Sequence, residues 1–126
     1  MRVFKTRWFV RFAKSEKISD ASLADAVARA ERGLLDADLG GGIIKQRVAR
    51  AGKGRSGGYR TVIAYRARSR AVFLFGFAKS ERDNVSDAQL ADLKNAAGDI
   101  LRRSDDKIAE DIAAGRLQEV DYEDQD

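Results

Sequence analysis

Ten lysine and arginine side chains lie between Leu39 and Lys79, and no aspartate or glutamate lies among them. Cations gathered without carboxylates repel one another, so this clustering indicates an anionic ligand rather than a structural role. Ammonium and guanidinium groups bind phosphate oxygens and release counterions from a polyanion. The ten residues are Lys45, Arg47, Arg50, Lys53, Arg55, Arg60, Arg66, Arg68, Arg70 and Lys79. The pattern therefore predicts a surface that binds nucleic acid.

The rest of the composition limits the chemistry that such a surface could perform. Residues 1–38 carry a net charge of +2 and residues 81–126 a net charge of −8, so the +10 of the middle segment is hidden in an overall +4. The chain has no Cys and no His, which excludes thiolate nucleophiles, Cys-based zinc sites and imidazole bases. We expect no metal and no cofactor. The 126 residues fit one domain, and the absence of a long apolar stretch predicts a soluble, cytoplasmic protein with no membrane contact.

Three strand-like runs, at 43–49, 59–66 and 71–77, position most of these cations. Side chains alternate along a strand, so Lys45 and Arg47 point to one face while Ile44 and Val48 point to the other. The third run is apolar throughout, which is typical of a central strand covered on both faces. Short connections favour an antiparallel meander. The connection at 52–58 is rich in glycine but lacks the Lys-Ser/Thr that ends a nucleotide-binding P-loop.

Helix-capping residues precede four amphipathic segments. Two helices are predicted before the strands and two after them, because Ser, Thr or Asp stands in front of apolar residues at helical spacing. The clearest start is Ser86, with Gln89 three residues later in the capping-box pattern. The other predicted starts are Thr6, Ser19 or Asp20, and Ser104. The acidic residues from Glu119 to the end are expected to be frayed and solvated.

Several motifs in the chain also resemble a known family. The run IKQRVARAGKGRSGGYRTVIAYR at 44–66 continues as VFLFGFAKSERDN at 72–84, with FKTRWF at 4–9 and GL..ADLGGG at 33–42. Together these motifs resemble the RelE/ParE toxin superfamily, specifically the RelE-like and HigB-like branch of type II toxin-antitoxin systems. The resemblance extends from about Phe4 to Leu101.

This resemblance implies both a fold and a function. The implied fold is α+β, with two N-terminal helices packed on a small twisted antiparallel sheet and helices at the C-terminus. Residues 1–116 would form a single RelE-like toxin domain, and residues 117–126 an acidic C-terminal tail. The implied function is that of an mRNA endoribonuclease, ribosome-dependent, which inhibits translation and growth. Its expected partners are mRNA on the ribosome and a cognate antitoxin protein that binds DNA.

The reaction implied is attack of a ribose 2′-hydroxyl on the adjacent phosphodiester, without a metal, to give a 2′,3′-cyclic phosphate. Because like charges disfavour a charged lysine, Lys45 or Lys53 is a candidate base, with Lys45 paired with Arg47 as first choice. Arg60 would stabilise charge on the phosphoryl oxygens, and Lys79 would stabilise charge or donate a proton. Residues expected to bind RNA are Arg50, Lys53, Arg55, Tyr59 and Asn84.

Other interpretations of the same residues remain open. The scaffold also hosts ParE-like toxins that inhibit gyrase, and a basic face suits a non-enzymatic RNA- or ribosome-binding module. Such a module needs exposed aromatic rings for stacking, for which Tyr59 and Tyr65 are the candidates. Some relatives use a tyrosine near the C-terminus, where this chain offers Tyr122 without a clear match. Asn84, just before a helix, also fits a turn or cap.

Overall fold

The computed structural model of the chain describes residues 1–50, 54–79 and 84–124, without the side chains at positions 50 and 54–56. Within these residues the chain forms four helices and one six-stranded mixed sheet, so the predicted α+β class is confirmed. In chain order the elements are β1 (Arg2–Thr6), α1 (Arg7–Glu16), α2 (Asp20–Glu31), β2 (Ala37–Gly40), β3 (Ile43–Arg50), β4 (Gly54–Arg66), β5 (Arg70–Ala78), α3 (Asp87–Arg102), α4 (Asp105–Ala113) and β6 (Leu117–Val120).

Each helix begins at a hydroxyl side chain that accepts a backbone N–H of the first turn. The N-cap residues are Thr6, Ser19, Ser86 and Ser104, as the sequence predicts. The box at α3 is complete, because the Gln89 side chain also accepts the N–H of Ser86. These caps satisfy backbone donors that have no partner within the helix.

The strand order is β2-β3-β4-β5-β1-β6, and it corrects the predicted sheet. The meander β3-β4-β5 is antiparallel as predicted, but β1 pairs parallel with β5 and antiparallel with β6. The prediction of a small antiparallel sheet is therefore wrong. Val3 and Phe4 are fully buried on opposite faces of β1, which explains why this short strand lies inside the sheet.

The C-terminal segment contributes the strand β6, which the sequence did not indicate. Val120 pairs with Val3 and Glu119 with Phe4, so the expectation that fraying starts at Glu119 is wrong for these two residues. Apolar Leu117 and Val120 are buried, and the Glu119 carboxylate binds Arg2 at the surface. In the part of the chain that the structure describes, no helix is long and apolar enough to cross a bilayer.

Buried apolar side chains form one cluster on each face of the sheet. The first cluster includes Phe9, Ala13, Leu23, Val27, Ile44, Val48, Tyr59, Ile63 and Phe73. The second includes Ile43, Val62, Ala64, Val72, Leu74, Ala97, Leu101 and Ile108. Strand β5 contributes to both, which confirms that it is a central strand covered on both faces.

Candidate active site

The pairing of β3 with β4 brings three predicted site residues onto one face of the sheet. Arg47 lies directly opposite Arg60, and Lys45 lies opposite Val62. Because side chains alternate along strands, Lys45, Arg47 and Arg60 share the face of Ile43 and Val62 in the second cluster. Directly opposed residues have Cβ atoms about 5 Å apart. The two guanidinium groups therefore start from neighbouring positions.

Lys79 lies at the same end of the sheet as Arg47 and Arg60. Ala78 pairs with Tyr59, and the Lys79 N–H donates to the Gly58 carbonyl oxygen at 3.3 Å. Lys79 thus lies beside Gly58, two residues before Arg60 on β4, and its side chain is exposed. We call Lys45, Arg47, Arg60 and Lys79 the cationic face. Among the described residues, no carboxylate forms an ion pair with any of the four.

Arg60 has the most unusual environment of this group. Its side chain is only 7% exposed, and within the described residues its buried Nη1 has no hydrogen-bond partner. A buried guanidinium normally satisfies its donors, because leaving a charged donor unpaired away from water is costly. Arg47 opposite it adds like-charge repulsion. An anion placed at this position would remove both penalties.

A buried amide fixes the backbone that carries the cationic face. Gln46, which points to the other side of β3 from Lys45 and Arg47, is fully buried. Its Nε2 donates to the carbonyl oxygens of Ala26 and Leu34 at 3.0 and 3.2 Å, and its Oε1 accepts the Asp36 N–H at 2.8 Å. Gln46 thereby joins α2, the segment before β2, and β3.

A second set of polar contacts holds the main chain of Arg47. Its N–H donates to the Asp36 carboxylate at 2.6 Å, and its carbonyl oxygen accepts a short hydrogen bond from the buried Arg29 guanidinium. Arg29 also pairs with Asp25 at 3.2 Å. Sequence reasoning missed Arg29, Asp36 and Gln46, because their role depends on contacts between elements. The sequence signal that could have indicated them is a polar residue within an otherwise apolar segment.

Two residues predicted to bind RNA have other roles. Tyr59 is 2% exposed, its ring packs edge-on against Phe12, and its hydroxyl donates to the Glu16 carbonyl oxygen at 3.4 Å. The Tyr59 ring therefore belongs to the core, and this burial argues against the predicted contact of Tyr59 with RNA. Asn84 is exposed, and its side-chain oxygen accepts the next N–H, of Val85, at 3.0 Å. This contact is the turn role that the sequence left open.

The remaining predicted RNA contacts lie outside the described part. Lys53 is not among the described residues, and neither are the side chains of Arg50 and Arg55. The described backbone of β3 and β4 nevertheless pairs Arg50 with Gly54 at the end of the sheet that carries Lys79. Their roles stay predictions.

Tyr65 and Tyr122 lie away from the cationic face. Tyr65 donates a short hydrogen bond to the Glu31 carboxylate. Burial is the main cause that raises the pKa of the Tyr65 hydroxyl, and the Glu31 carboxylate raises it further. Burial and the charge of Glu31 also raise the pKa of Tyr122. Tyr122 lines a pocket of about 380 Å³ with Arg68, beyond the opposite end of β4. Tyr122 therefore does not belong to the site.

Comparison with known proteins identifies a matching family. A family model described as "RelE toxin of RelE / RelB toxin-antitoxin system" matches residues 1–120. No curated protein and no solved structure matches the chain significantly. The matched range contains every described residue of the cationic face and all six strands.

Proposed function

The chain belongs to the RelE toxin family, and on that premise we propose that it is an endoribonuclease that cleaves messenger RNA on the ribosome. Membership in a toxin-antitoxin family implies a protein antitoxin as partner. We further propose that this antitoxin binds DNA and that the toxin belongs to the HigB-like branch. Cleavage of messenger RNA would stop translation and growth.

The observation that carries this proposal is that Nη1 of the buried Arg60 has no hydrogen-bond partner among the residues that the structure describes. A guanidinium presents a planar fork of donors that matches two oxygens of a phosphodiester. Arg47 opposite Arg60, with Lys45 two residues before it on the same strand face, adds further positive charge. Fixed donors aimed at oxygens where charge develops are the largest source of catalysis in such sites.

We propose the following reaction on this face. The Lys45 amine takes the proton of a ribose 2′-hydroxyl, and the oxygen attacks the adjacent phosphorus. Arg47 and Arg60 stabilise the negative charge on the phosphoryl oxygens. The bond from phosphorus to the 5′-oxygen breaks as Lys79 donates a proton to that oxygen. The products are a 2′,3′-cyclic phosphate and a free 5′-hydroxyl.

The burial of Tyr59 weakens the alternative of a non-enzymatic stacking module that uses Tyr59 and Tyr65. The other ring of that pair, Tyr65, is partly buried and hydrogen-bonded to Glu31. A ParE-like action on gyrase gives a different result in the test below. In that case, growth would stop without cleavage of messenger RNA.

The test compares growth and the 5′ ends of messenger RNA after induction of three proteins at equal soluble levels. These are the wild type, Arg60→Gln and Arg66→Gln. Arg66 is a matched control, because it lies on the same strand and the same face, about 20 Å from Arg60, and is exposed. We expect growth arrest with new, translation-dependent 5′-hydroxyl ends for the wild type and Arg66→Gln only.

Other results would contradict the proposal. Arrest by the wild type without new RNA ends would indicate a protein target such as gyrase. No arrest by a folded wild type would indicate a binding module. Cleavage by Arg60→Gln at the wild-type rate would remove Arg60 from the mechanism.

A further inference from the structure

The half of β5 that approaches the cationic face has a helix instead of a strand along one edge. Strand β1 pairs with β5 only from Arg70 to Phe73 and then leads into α1. Beyond this point Phe12 of α1 lies against Gly76, where an added Cβ would come within 2.7 Å of the Phe12 ring. The start of α1 is thus held tightly beside the end of β5.

Aromatic rings line this junction and reach solvent. The Trp8 ring centroid lies 4.6 Å from that of Phe75 and 5.3 Å from that of Phe12, to which it is nearly parallel. Trp8 is 38% exposed, and Phe12 and Phe75 are partly exposed. We call Trp8, Phe12 and Phe75 the aromatic shelf. Trp8 is among the few large apolar side chains of the described chain that stay exposed.

Of the aromatic shelf, Phe75 lies on the same face of the sheet as the cationic face, whereas Phe12 packs with the first cluster on the other face. The shelf therefore crosses the edge of β5, with Trp8 in contact with both rings. Phe75 lies opposite Val62, which in turn lies opposite Lys45. Phe77 lies opposite Arg60, and its ring centroid is 6.2 Å from that of Phe75. Phe75 is therefore a diagonal neighbour of Arg60, and the Cα atoms of such neighbours lie about 7–8 Å apart. A chain bound through one phosphate at Arg60 would reach Phe75 within a nucleotide or two, and Trp8 contacts Phe75 at the edge of the sheet.

A groove beside the shelf has the chemistry expected for this continuation. It holds about 360 Å³ and is lined by Trp8, Arg11, Phe12, Ser15 and Glu16. Arg11 provides a cation for a phosphate, while the aromatic rings provide apolar surface for a base. Glu16, which also lines the groove, would repel a phosphate and accept hydrogen bonds from a base amino group.

We propose that the aromatic shelf binds an unpaired nucleobase of the RNA whose phosphate lies on the cationic face. This inference rests on the proposed function and extends its site to a base-binding position. Stacking on aromatic rings accepts every base, because each base has a π face, and it requires a single strand with exposed faces. The shelf thus replaces the tyrosines that the sequence suggested.

Trp8 makes the test direct, because it is the only tryptophan of the chain. A fully 2′-O-methylated RNA oligonucleotide, which cannot undergo 2′-hydroxyl attack, is titrated while Trp8 fluorescence is followed. An abasic oligonucleotide of equal length has the same phosphates without bases. Anisotropy of a 5′ label measures binding of both. We expect quenching by the RNA and none by the abasic strand at equal occupancy.

Variants separate stacking from charge. Trp8→Leu should weaken RNA binding about 5- to 150-fold, the range for loss of one base stack, and leave abasic binding unchanged. Trp8→Phe keeps an aromatic ring and should retain most of the affinity, which also controls for a folding defect in Trp8→Leu. Leu35→Ala removes a comparably exposed apolar side chain elsewhere and should bind like the wild type.

The outcomes distinguish failure of the shelf from failure of the proposed function. Equal quenching by abasic strands, no quenching at full RNA occupancy, or unchanged RNA binding by a folded Trp8→Leu would overturn the shelf. Base-dependent quenching by a wild type that cleaves no RNA in cells would support the shelf while refuting the nuclease.

Discussion

Replacement of Arg60 by methionine tests whether its buried guanidinium is suited to binding an anion. The side chain is 7% exposed and its Nη1 has no partner within the described residues. An unsatisfied buried donor costs about 1–3 kcal/mol, and apolar replacement of buried ionic groups often stabilises by about 1–4 kcal/mol. Methionine keeps the apolar stem and removes the charge. We expect the free energy of unfolding to rise by about 1–3 kcal/mol.

Thermal denaturation in a buffer with chloride as its only anion measures this gain. Unfolding entropies of about 2.1 cal/mol/K per residue give about 0.26 kcal/mol/K for 126 residues. The expected rise in Tm is therefore about 4–11 °C. Arg66→Met, on the exposed end of the same strand, should stay within about 0.5 kcal/mol of the wild type. Arg60→Met should also abolish growth arrest, so stability and function would change in opposite directions.

Anion binding provides the complementary measurement. A ligand of the native state stabilises by RT ln(1 + [L]/Kd), which is about 1.4 kcal/mol at ten times Kd. A short non-cleavable RNA should raise the Tm of the wild type and of Arg66→Met more than that of Arg60→Met. A lower Tm for Arg60→Met than for the wild type in chloride buffer would refute the reasoning, because the guanidinium would then be favourable without a ligand.

Three further substitutions test the scaffold. Burial raises the pKa of Asp111, but hydrogen bonds from Arg116 and Arg103 outweigh this effect and hold the pKa below its ordinary value. The ionised Asp111 therefore contributes to folding stability above its unfolded-state pKa, and this contribution is lost as the pH falls through its folded-state pKa. Asp111→Asn should cost about 1–2 kcal/mol at pH 7 and reduce the loss of stability in acid, as measured by urea denaturation across pH. Gln46→Leu leaves two carbonyl oxygens and one N–H without their partner, and should lower the urea-derived free energy of unfolding by about 2–4 kcal/mol. Gly76→Ala places a Cβ 2.7 Å from the Phe12 ring, and should cost about 1–3 kcal/mol in thermal denaturation, whereas an unchanged Tm would show that α1 can move away.

Features that depend on neighbouring residues in the chain could be predicted from the sequence. The capping box at Ser86 and Gln89 is such a feature, because hydroxyl and amide side chains three residues apart meet in the first turn of a helix. The common face of Lys45 and Arg47 is another, since it follows from the alternation of side chains along β3. Both are fixed by local geometry whatever the rest of the chain does.

Features that depend on distant pairing could not be predicted. Strand β1 has five residues, and nothing in them specifies parallel pairing with β5 almost 70 residues later. Strand β6 was not predicted because its two buried apolar residues, Leu117 and Val120, lie within a charged segment that is typical of a solvated tail. The exposure of Trp8 was also hidden, because its helical spacing with Phe12 is equally typical of a core helix. Strand β1 stops pairing with β5 at Phe73, and this leaves room for Trp8 beside Phe75.

The cationic face departs from ordinary folding rules in a way that favours an anionic ligand. Arg47 stands opposite Arg60, although like charges in directly opposed positions destabilise a sheet. Buried polar groups elsewhere hold this pair in register, through Gln46 and through the Thr61 hydroxyl, which donates to the Gln46 carbonyl oxygen at 2.8 Å. Such a local violation within a well-satisfied frame is expected at a functional site. An anion relieves the repulsion between Arg47 and Arg60 and also supplies a hydrogen-bond acceptor to the Arg60 Nη1. A neutral ligand can supply the acceptor but cannot relieve the repulsion. The arrangement therefore favours an anion over an uncharged group, as the proposed binding of a phosphodiester requires.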